Sequence, residues 1–190
     1  MSVQIVYETH SVTTDNEAGI ATGWLPGALS PQGRALAQQL GERRAADRFA
    51  AIFVSDLRRA VETAEIAFGR SGIPTYLDPR LRECDYGELN GALAATVSAQ
   101  RCARVDTPFP GGESYQQVVD RTEEFLRELV RDWDGARVLV IAHSANRWAL
   151  EHLLNGRSLA QLAAAPYDWQ EGWHFRVPAG WAGRGQLVRG

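Results

Sequence analysis

His10, Arg59 and His143 are far apart in the chain, yet each falls at or just beyond the carboxyl end of a run that reads as a β-strand. Imidazole is a nucleophile and proton carrier near neutral pH, and guanidinium offers a planar fork of donors to an anion. In an open parallel sheet, ligands settle in the crevice outside the carboxyl ends of the strands, where the following helices point their positive amino ends inward. Two imidazoles and a guanidinium gathered there suit phosphate, and the three residues are read as one anion-binding catalytic site.

The elements that must position them are legible as periodicity. Val3 to Tyr7 stays apolar or alternates and runs into Glu8-Thr9-His10-Ser11. Ala51 to Val54 stops at Ser55-Asp56-Leu57-Arg58-Arg59, and Val138 to Ala142, the strongest strand signal, ends on His143-Ser144. Between them Ser30 caps a helix that starts with Pro31 and carries an apolar stripe of Leu36, Ala37 and Leu40. A second helix spans Arg59 to Phe68 and closes at Gly69, and Ile73 to Leu77 reads as a short strand. After the Arg82 to Gly91 loop and a mixed stretch to Pro110, Val118, Thr122, Phe125, Leu126, Leu129 and Trp133 recur at helical spacing. They predict a long amphipathic helix over Ser114 to Trp133. A helix from Ser144 to Leu154 follows, and Trp173 to Val177 and Gln186 to Val188 read as terminal strands. Strands alternating with helices predict an α/β fold on a mostly parallel sheet.

At 190 residues the chain fits a single domain, 1–190, with no internal repeat or linker. The net charge of -3 argues against nucleic acid or an anionic membrane as the main partner, because both call for a basic face. No basic-then-apolar signal precedes the first strand, and no apolar run approaches the roughly 20 residues of a membrane span. A cytoplasmic location is therefore expected. Cys84 and Cys102 have neither the spacing of a metal site nor the density of a disulfide scaffold, and are read as ordinary thiols.

Five blocks, in order, resemble those of the histidine phosphatase superfamily, the phosphoglycerate-mutase-like proteins. That family opens with Arg-His-Gly-Glu-Thr followed by Asn; here Thr9-His10-Ser11-Val12-Thr13-Thr14-Asp15-Asn16 keeps the His, Thr and Asn but not the Arg, Gly and Glu. Gly23-Trp24 and Leu29-Ser30 with Gly33 resemble the loop and helix start that follow. Ser55 to Ala64 matches Ser-x-Leu-x-Arg-Ala-x-x-Thr-Ala at every fixed position, and this is the most specific block. Leu81 to Gly87 with Gly91 resembles the Glu-x-x-aromatic-Gly loop that carries the proton donor. Gly112-Glu113-Ser114 with Arg121 resembles the opening of the long helix, and Val138 to Ser144 resembles Val-x-Val-x-Ala-His-Gly with Ser144 for Gly. The resemblance implies a three-layer sandwich, a two-step phosphoryl transfer through phosphohistidine, and no metal or organic cofactor.

The chemistry of the residues agrees. His10 is the candidate nucleophile, provided its second ring nitrogen donates to a backbone carbonyl and holds the tautomer. Arg59 supplies a fork for phosphoryl oxygens, His143 grips another from the opposite wall, and Asn16 adds an amide donor. Glu83 gives a proton to the leaving alkoxide and then takes one from water, if burial raises its pKa toward working pH.

Thr9 is the main departure, since one neutral hydroxyl stands where the family has a guanidinium. By analogy with losing one oxyanion donor, the deficit is on the order of 10²- to 10³-fold in rate. Arg147, one turn into the helix after His143, is the candidate replacement, with Arg58 and Arg82 also near the site loops. Ser11 and Ser144, in place of glycines, either donate to phosphate or narrow the pocket. Arg121 is read as a structural ion pair, His152 and His174 as structural, and Trp169, Trp173 and Trp181 as packing aromatics.

The expected function is hydrolysis of a small phosphomonoester, by a metal-independent enzyme acting on a phosphorylated metabolite. The alternatives are a non-catalytic phosphate-ligand binder, favoured by Thr9, and a phosphoglycerate-type mutase, disfavoured by the short Gly91 to Pro110 segment. A serine hydrolase is set aside because no Gly-x-Ser-x-Gly elbow occurs. Substrate choice is expected to lie in the Gly19 to Ala28 loop and the Gly91 to Phe109 segment, and a homodimer is one permitted assembly.

Overall fold

The near-continuous apolar strands are buried on both faces, as befits the middle layer of a sandwich. The structure, a computed structural model, describes residues 1–184. In chain order the elements are β1 (Val3–Thr9), α1 (Thr14–Glu17), β2 (Ile20–Ala21), α2 (Pro31–Arg43), β3 (Ala51–Val54), α3 (Arg58–Phe68) and β4 (Thr75–Leu77). They continue with β5 (Ala92–Leu93), α4 (Ala94–Gln100), α5 (Tyr115–Asp132), β6 (Arg137–Ala142), α6 (Ser144–Asn155), α7 (Leu159–Ala164) and β7 (Trp173–Val177).

The central sheet runs β4-β3-β6-β1-β7, parallel except for β7, which pairs antiparallel with β1 at one edge. Side chains alternate across it. Val6, Ile52, Val54, Leu139 and Ile141 pack with Leu40, Ala60, Ala64 and Phe68, on the side covered by α2 and α3. Ile5, Tyr7, Phe53, Val138 and Val140 pack with Phe125, Leu126, Leu129 and Leu150, on the side of α5 and α6. The expected three layers are therefore present.

Register does the positioning. Thr9 of β1 lies opposite Ala142 of β6, and Val54 of β3 lies opposite Ile141. His10 N donates to Ala142 O at 2.9 Å and Ser55 N donates to Ile141 O at 3.0 Å. Three neighbouring strands thus end level, with His10, Ser55 and His143 side by side just past their carboxyl ends.

Three differences from expectation have local causes. The fourth strand starts at Thr75 rather than Ile73, because Pro74 has no N–H for the ladder, although its carbonyl accepts from Ile52 N at 2.9 Å. The mixed stretch before Pro110 contains α4 and a short 3₁₀ turn, Arg101–Arg104. β5 at its start pairs with β2, which joins the two segments expected to hold substrate. The strand read at Gln186 to Val188 lies outside the described residues.

Candidate active site

His10 leaves β1 with its ring already oriented. Nδ1 donates to Ser11 O at 2.7 Å, which leaves Nε2 without a proton and facing Arg59 Nε at 3.2 Å. Burial, and next the Arg59 charge, lower its pKa to about 3, so the ring is neutral at ordinary pH. Ser11 N donates to Thr63 Oγ1 at 3.0 Å, and that hydroxyl donates to Arg59 O at 2.7 Å. The Arg-x-x-x-Thr spacing on α3 therefore anchors the nucleophile loop as well as presenting the guanidinium. Gly33 lets α2 approach that loop, since a Cβ there would meet Val12 O at 1.8 Å.

Arg59 is buried and donates from Nη2 to Gly23 O at 2.8 Å and from Nη1 to Leu25 O at 3.3 Å. Its Nη2 also lies 3.3 Å from Nδ1 of His143, and because guanidinium only donates, that nitrogen accepts. The proton of His143 sits on Nε2, which donates to Ser55 Oγ at 2.9 Å. Burial first, then Arg59, hold the His143 pKa well below its ordinary value. The two imidazole rings are 5.0 Å apart, centre to centre. One cation with two neutral rings forms a concave set of nitrogens that an anion would complete.

Glu83 comes from the loop between β4 and β5. Its Oε1 accepts from Cys84 N at 2.8 Å and from Ala145 N, at the start of α6, at 3.3 Å. Burial raises its pKa, opposed by the Cys84 N–H and then by the Arg59 charge. The loop is held from outside: Arg121 pairs with Glu113 at 3.0 Å and donates to Glu83 O at 2.9 Å and Arg80 O at 2.6 Å. Arg121 thus has the structural pairing expected of it. Trp24 Nε1 donates to Glu83 O at 2.7 Å from the other side.

His10, Arg59 and Glu83 line a cavity of about 620 Å³, with Thr9, Ser11, Asn16, Tyr86, Arg101, Ser144, Trp148 and Tyr167 also at its walls, while His143 is buried behind Arg59 and off that wall. Asn16 reaches it as expected, and its Oδ1 accepts from Thr13 N at 3.0 Å in a capping box, leaving the amide NH₂ as a donor. Among the described residues no group of three or more His, Cys, Asp or Glu could hold a metal ion. No helix there is long and apolar enough to cross a membrane.

Several candidates stand elsewhere. Ser11 lines the cavity, but its hydroxyl donates to Gly33 O at 2.6 Å, so that proton is committed to α2 rather than offered to a phosphate. Arg147 is absent from the cavity wall; it is 8% exposed, with its guanidinium 5.0 Å from the centre of the Trp173 ring. It sits one turn into α6, where the chain faces β7 rather than the crevice. Arg82 is paired through both donors with Asp56, at 2.7 and 2.5 Å, and Arg58 is exposed. His152 Nδ1 donates to Arg157 O at 2.8 Å, and His174 is exposed on β7. Trp173 is buried and Trp181 packs against that core, but Trp169 lines the cavity.

Sequence reasoning missed Tyr167, whose hydroxyl lies 3.3 Å from Thr9 Oγ1, and Arg101, which stacks 5.5 Å from the Trp148 ring centre. It also missed Ser55 as the partner of His143. Ser55 had a signal as the first residue of the best-matched block, and Arg101 lies in the Gly91 to Phe109 segment expected to hold substrate, whereas Tyr167 had none.

Comparison with known proteins places this geometry. The sequence pattern of the histidine phosphatase superfamily (branch 1) matches residues 9–170. A glucosyl-3-phosphoglycerate phosphatase of Mycolicibacterium vanbaalenii is 35% identical over 167 residues, covering 80% of this chain and 74% of that protein. A 2,3-bisphosphoglycerate-dependent phosphoglycerate mutase of a Methylobacterium species is 34% identical over 168 residues, covering 80% of each. The solved structure of Bacillus stearothermophilus YhfR superposes with a TM-score of 0.79 at 28% identity, covering 89% of this chain and 88% of that one. With the family pattern spanning residues 9–170, most of its length, the chain belongs to the histidine phosphatase superfamily.

Proposed function

We propose that the chain is a phosphatase that hydrolyses a small phosphomonoester through a phosphohistidine at His10. The observation that carries this reading is the ring of His10, neutral, oriented through Nδ1 by Ser11 O, and presenting a bare Nε2 beside Arg59. Relatives named as phosphatases, among them a metal-independent phosphoserine phosphatase of Arabidopsis thaliana, support it.

In the first step the Nε2 lone pair attacks phosphorus, the P–O bond to the alcohol breaks, and Glu83 gives its proton to the departing oxygen. Arg59 and His143 donate to the phosphoryl oxygens, and Asn16 and Ser144 extend donors from the rim. His143 donates once it takes a proton from solvent on Nδ1, since its Nε2 proton goes to Ser55 Oγ, and an arriving dianion favours that by opposing the burial and the Arg59 charge that hold its pKa down. In the second step ionised Glu83 takes a proton from water, the oxygen attacks phosphorus, and the P–N bond breaks. His10 returns neutral, Glu83 returns protonated, and inorganic phosphate leaves. No step requires a metal.

Thr9 favours a second reading, a phosphate-ligand binder without turnover, because the site holds one cation fewer than the family motif supplies. Hydrolysis of an aryl phosphate between about pH 5 and 8, the range in which histidine titrates, with a chelator present, separates the two. Turnover that disappears in His10→Ala supports the phosphatase. Vanadate binding without turnover in the folded wild type supports the binder.

A further inference from the structure

The cavity extends from the reacting groups in two directions. One runs under β2 and α4 to Arg101 and Trp148. The other runs past Thr9 between α2 and the segment that leads into β7, and the catalytic steps make no use of it.

Its floor is one face of α2, where Leu36, Gln39, Leu40 and Arg43 recur at i, i+3, i+4 and i+7. Its far wall is Tyr167 and Trp169, which are 47% and 53% exposed although both are large aromatics. Neither ring meets another ring or stacks beneath a cation among the described residues, while the other tryptophan at the cavity, Trp148, packs against Tyr115 and Arg101. The charges at the closed end cancel or are negative. Glu8 accepts from Arg43 at 3.2 Å and from Arg44 at 2.7 and 2.9 Å, and Glu171 adds a carboxylate. The cation lining this branch, Arg43, is thus paired, and Arg147, which has no carboxylate partner among the described residues, lies off the wall with its guanidinium over Trp173, whereas Arg101 lines the other branch without a carboxylate partner among those residues.

We infer that this branch of the cavity binds a neutral aromatic group on the alcohol part of the phosphomonoester, stacked on Trp169 with Leu36 and Leu40 opposite. The inference rests on the phosphatase reading for its reacting end and adds the substrate class. Thr9 is what keeps the passage open: its short side chain borders both the catalytic groups and the aromatic wall, with its hydroxyl 3.3 Å from that of Tyr167. A stacked ring on a half-exposed tryptophan gains both apolar burial and ring geometry.

The test is the ratio of kcat/KM for 1-naphthyl phosphate to that for methyl phosphate, in wild type and in Trp169→Ala. The variant is expected to lower that ratio about tenfold, the scale of losing one aromatic contact with its buried area. An unchanged ratio overturns the inference. If the wild type hydrolyses neither ester, the phosphatase reading fails by itself. The aromatic subsite is then read by calorimetry with naphthylmethylphosphonate and methylphosphonate on the same two proteins. There an affinity ratio that falls about tenfold in Trp169→Ala supports the subsite, and an equal ratio overturns it.

Discussion

Replacing Glu83 with Gln removes one proton and little else, which makes it the sharpest probe of the chemistry. Oε1 of Glu83 accepts from Cys84 N at 2.8 Å and Ala145 N at 3.3 Å, and a Gln carbonyl oxygen can keep both bonds. The loop, tied by Arg121 and Trp24 to the carbonyl of residue 83, keeps its outer supports. What is lost is the acid for the alcohol and the base for water, each worth about 10²- to 10⁴-fold. An alkyl phosphate needs the acid, so its kcat/KM should fall by about 10²-fold or more. A nitrophenyl phosphate leaves without help, so its first step should survive while hydrolysis of the phosphohistidine slows. Stopped-flow absorbance should then show a burst of one nitrophenol per chain. Equal losses for both esters, with no burst, would refute the assignment of Glu83. The sign for stability follows from the same burial. A carboxyl whose folded pKa is raised contributes stability below its unfolded pKa and loses it as pH rises through the folded value. Glu83→Gln lacks that loss, so its melting temperature should fall less than that of the wild type as pH rises above the ordinary carboxylate range.

Three further outcomes follow from the site and its frame. With the His10 pKa lowered to about 3, kcat/KM corrected for substrate ionisation should show no acid limb from the nucleophile between pH 5 and 8, and its basic limb should follow the ionisation of Glu83, above the ordinary carboxylate range; an acid limb at the ordinary imidazole value that persists in Glu83→Gln would contradict the buried, neutral ring. Thr9→Arg should raise kcat/KM for methyl phosphate by about 10²-fold, by returning a donor to the phosphoryl group. The same variant should raise it less for 1-naphthyl phosphate, because the longer side chain enters the passage beside Tyr167, and equal gains would contradict that geometry. Gly33→Ala puts a Cβ 1.8 Å from Val12 O, so it should destabilise by about 1–3 kcal/mol in chemical denaturation and weaken vanadate binding through the displaced His10 loop; wild-type values for both would refute the close packing of α2 on that loop.

The strands that carry the site were legible because each is a short apolar run buried on both faces, and periodicity reports burial. Val138 to Ala142 and Ala51 to Val54 match their elements at nearly every residue, and the capped start of α2 at Ser30 was equally plain. α7 and the β2–β5 ribbon were not foreseen. They are six residues and two plus two residues long, and their pairing depends on loops far apart in the chain.

At the site, residue type and strand-end position singled out His10, Arg59 and His143 from the sequence alone, and the resemblance of the Leu81 to Gly87 loop added Glu83. Chemistry-bearing side chains at the ends of adjacent strands converge whatever the loops do. The sequence also recorded that Thr9 stands where the family motif has Arg. Only the tertiary structure decided where the remaining polar groups point. The Ser11 hydroxyl turns to Gly33 because α2 approaches it, Arg147 lies on Trp173 because its turn of α6 faces β7, and Tyr167 and Trp169 reach the cavity from a segment with no periodic signal. Those directions are set by partners distant in sequence, and a side chain's hydrogen bond is chosen by the neighbour that packing supplies rather than by the residue that carries it.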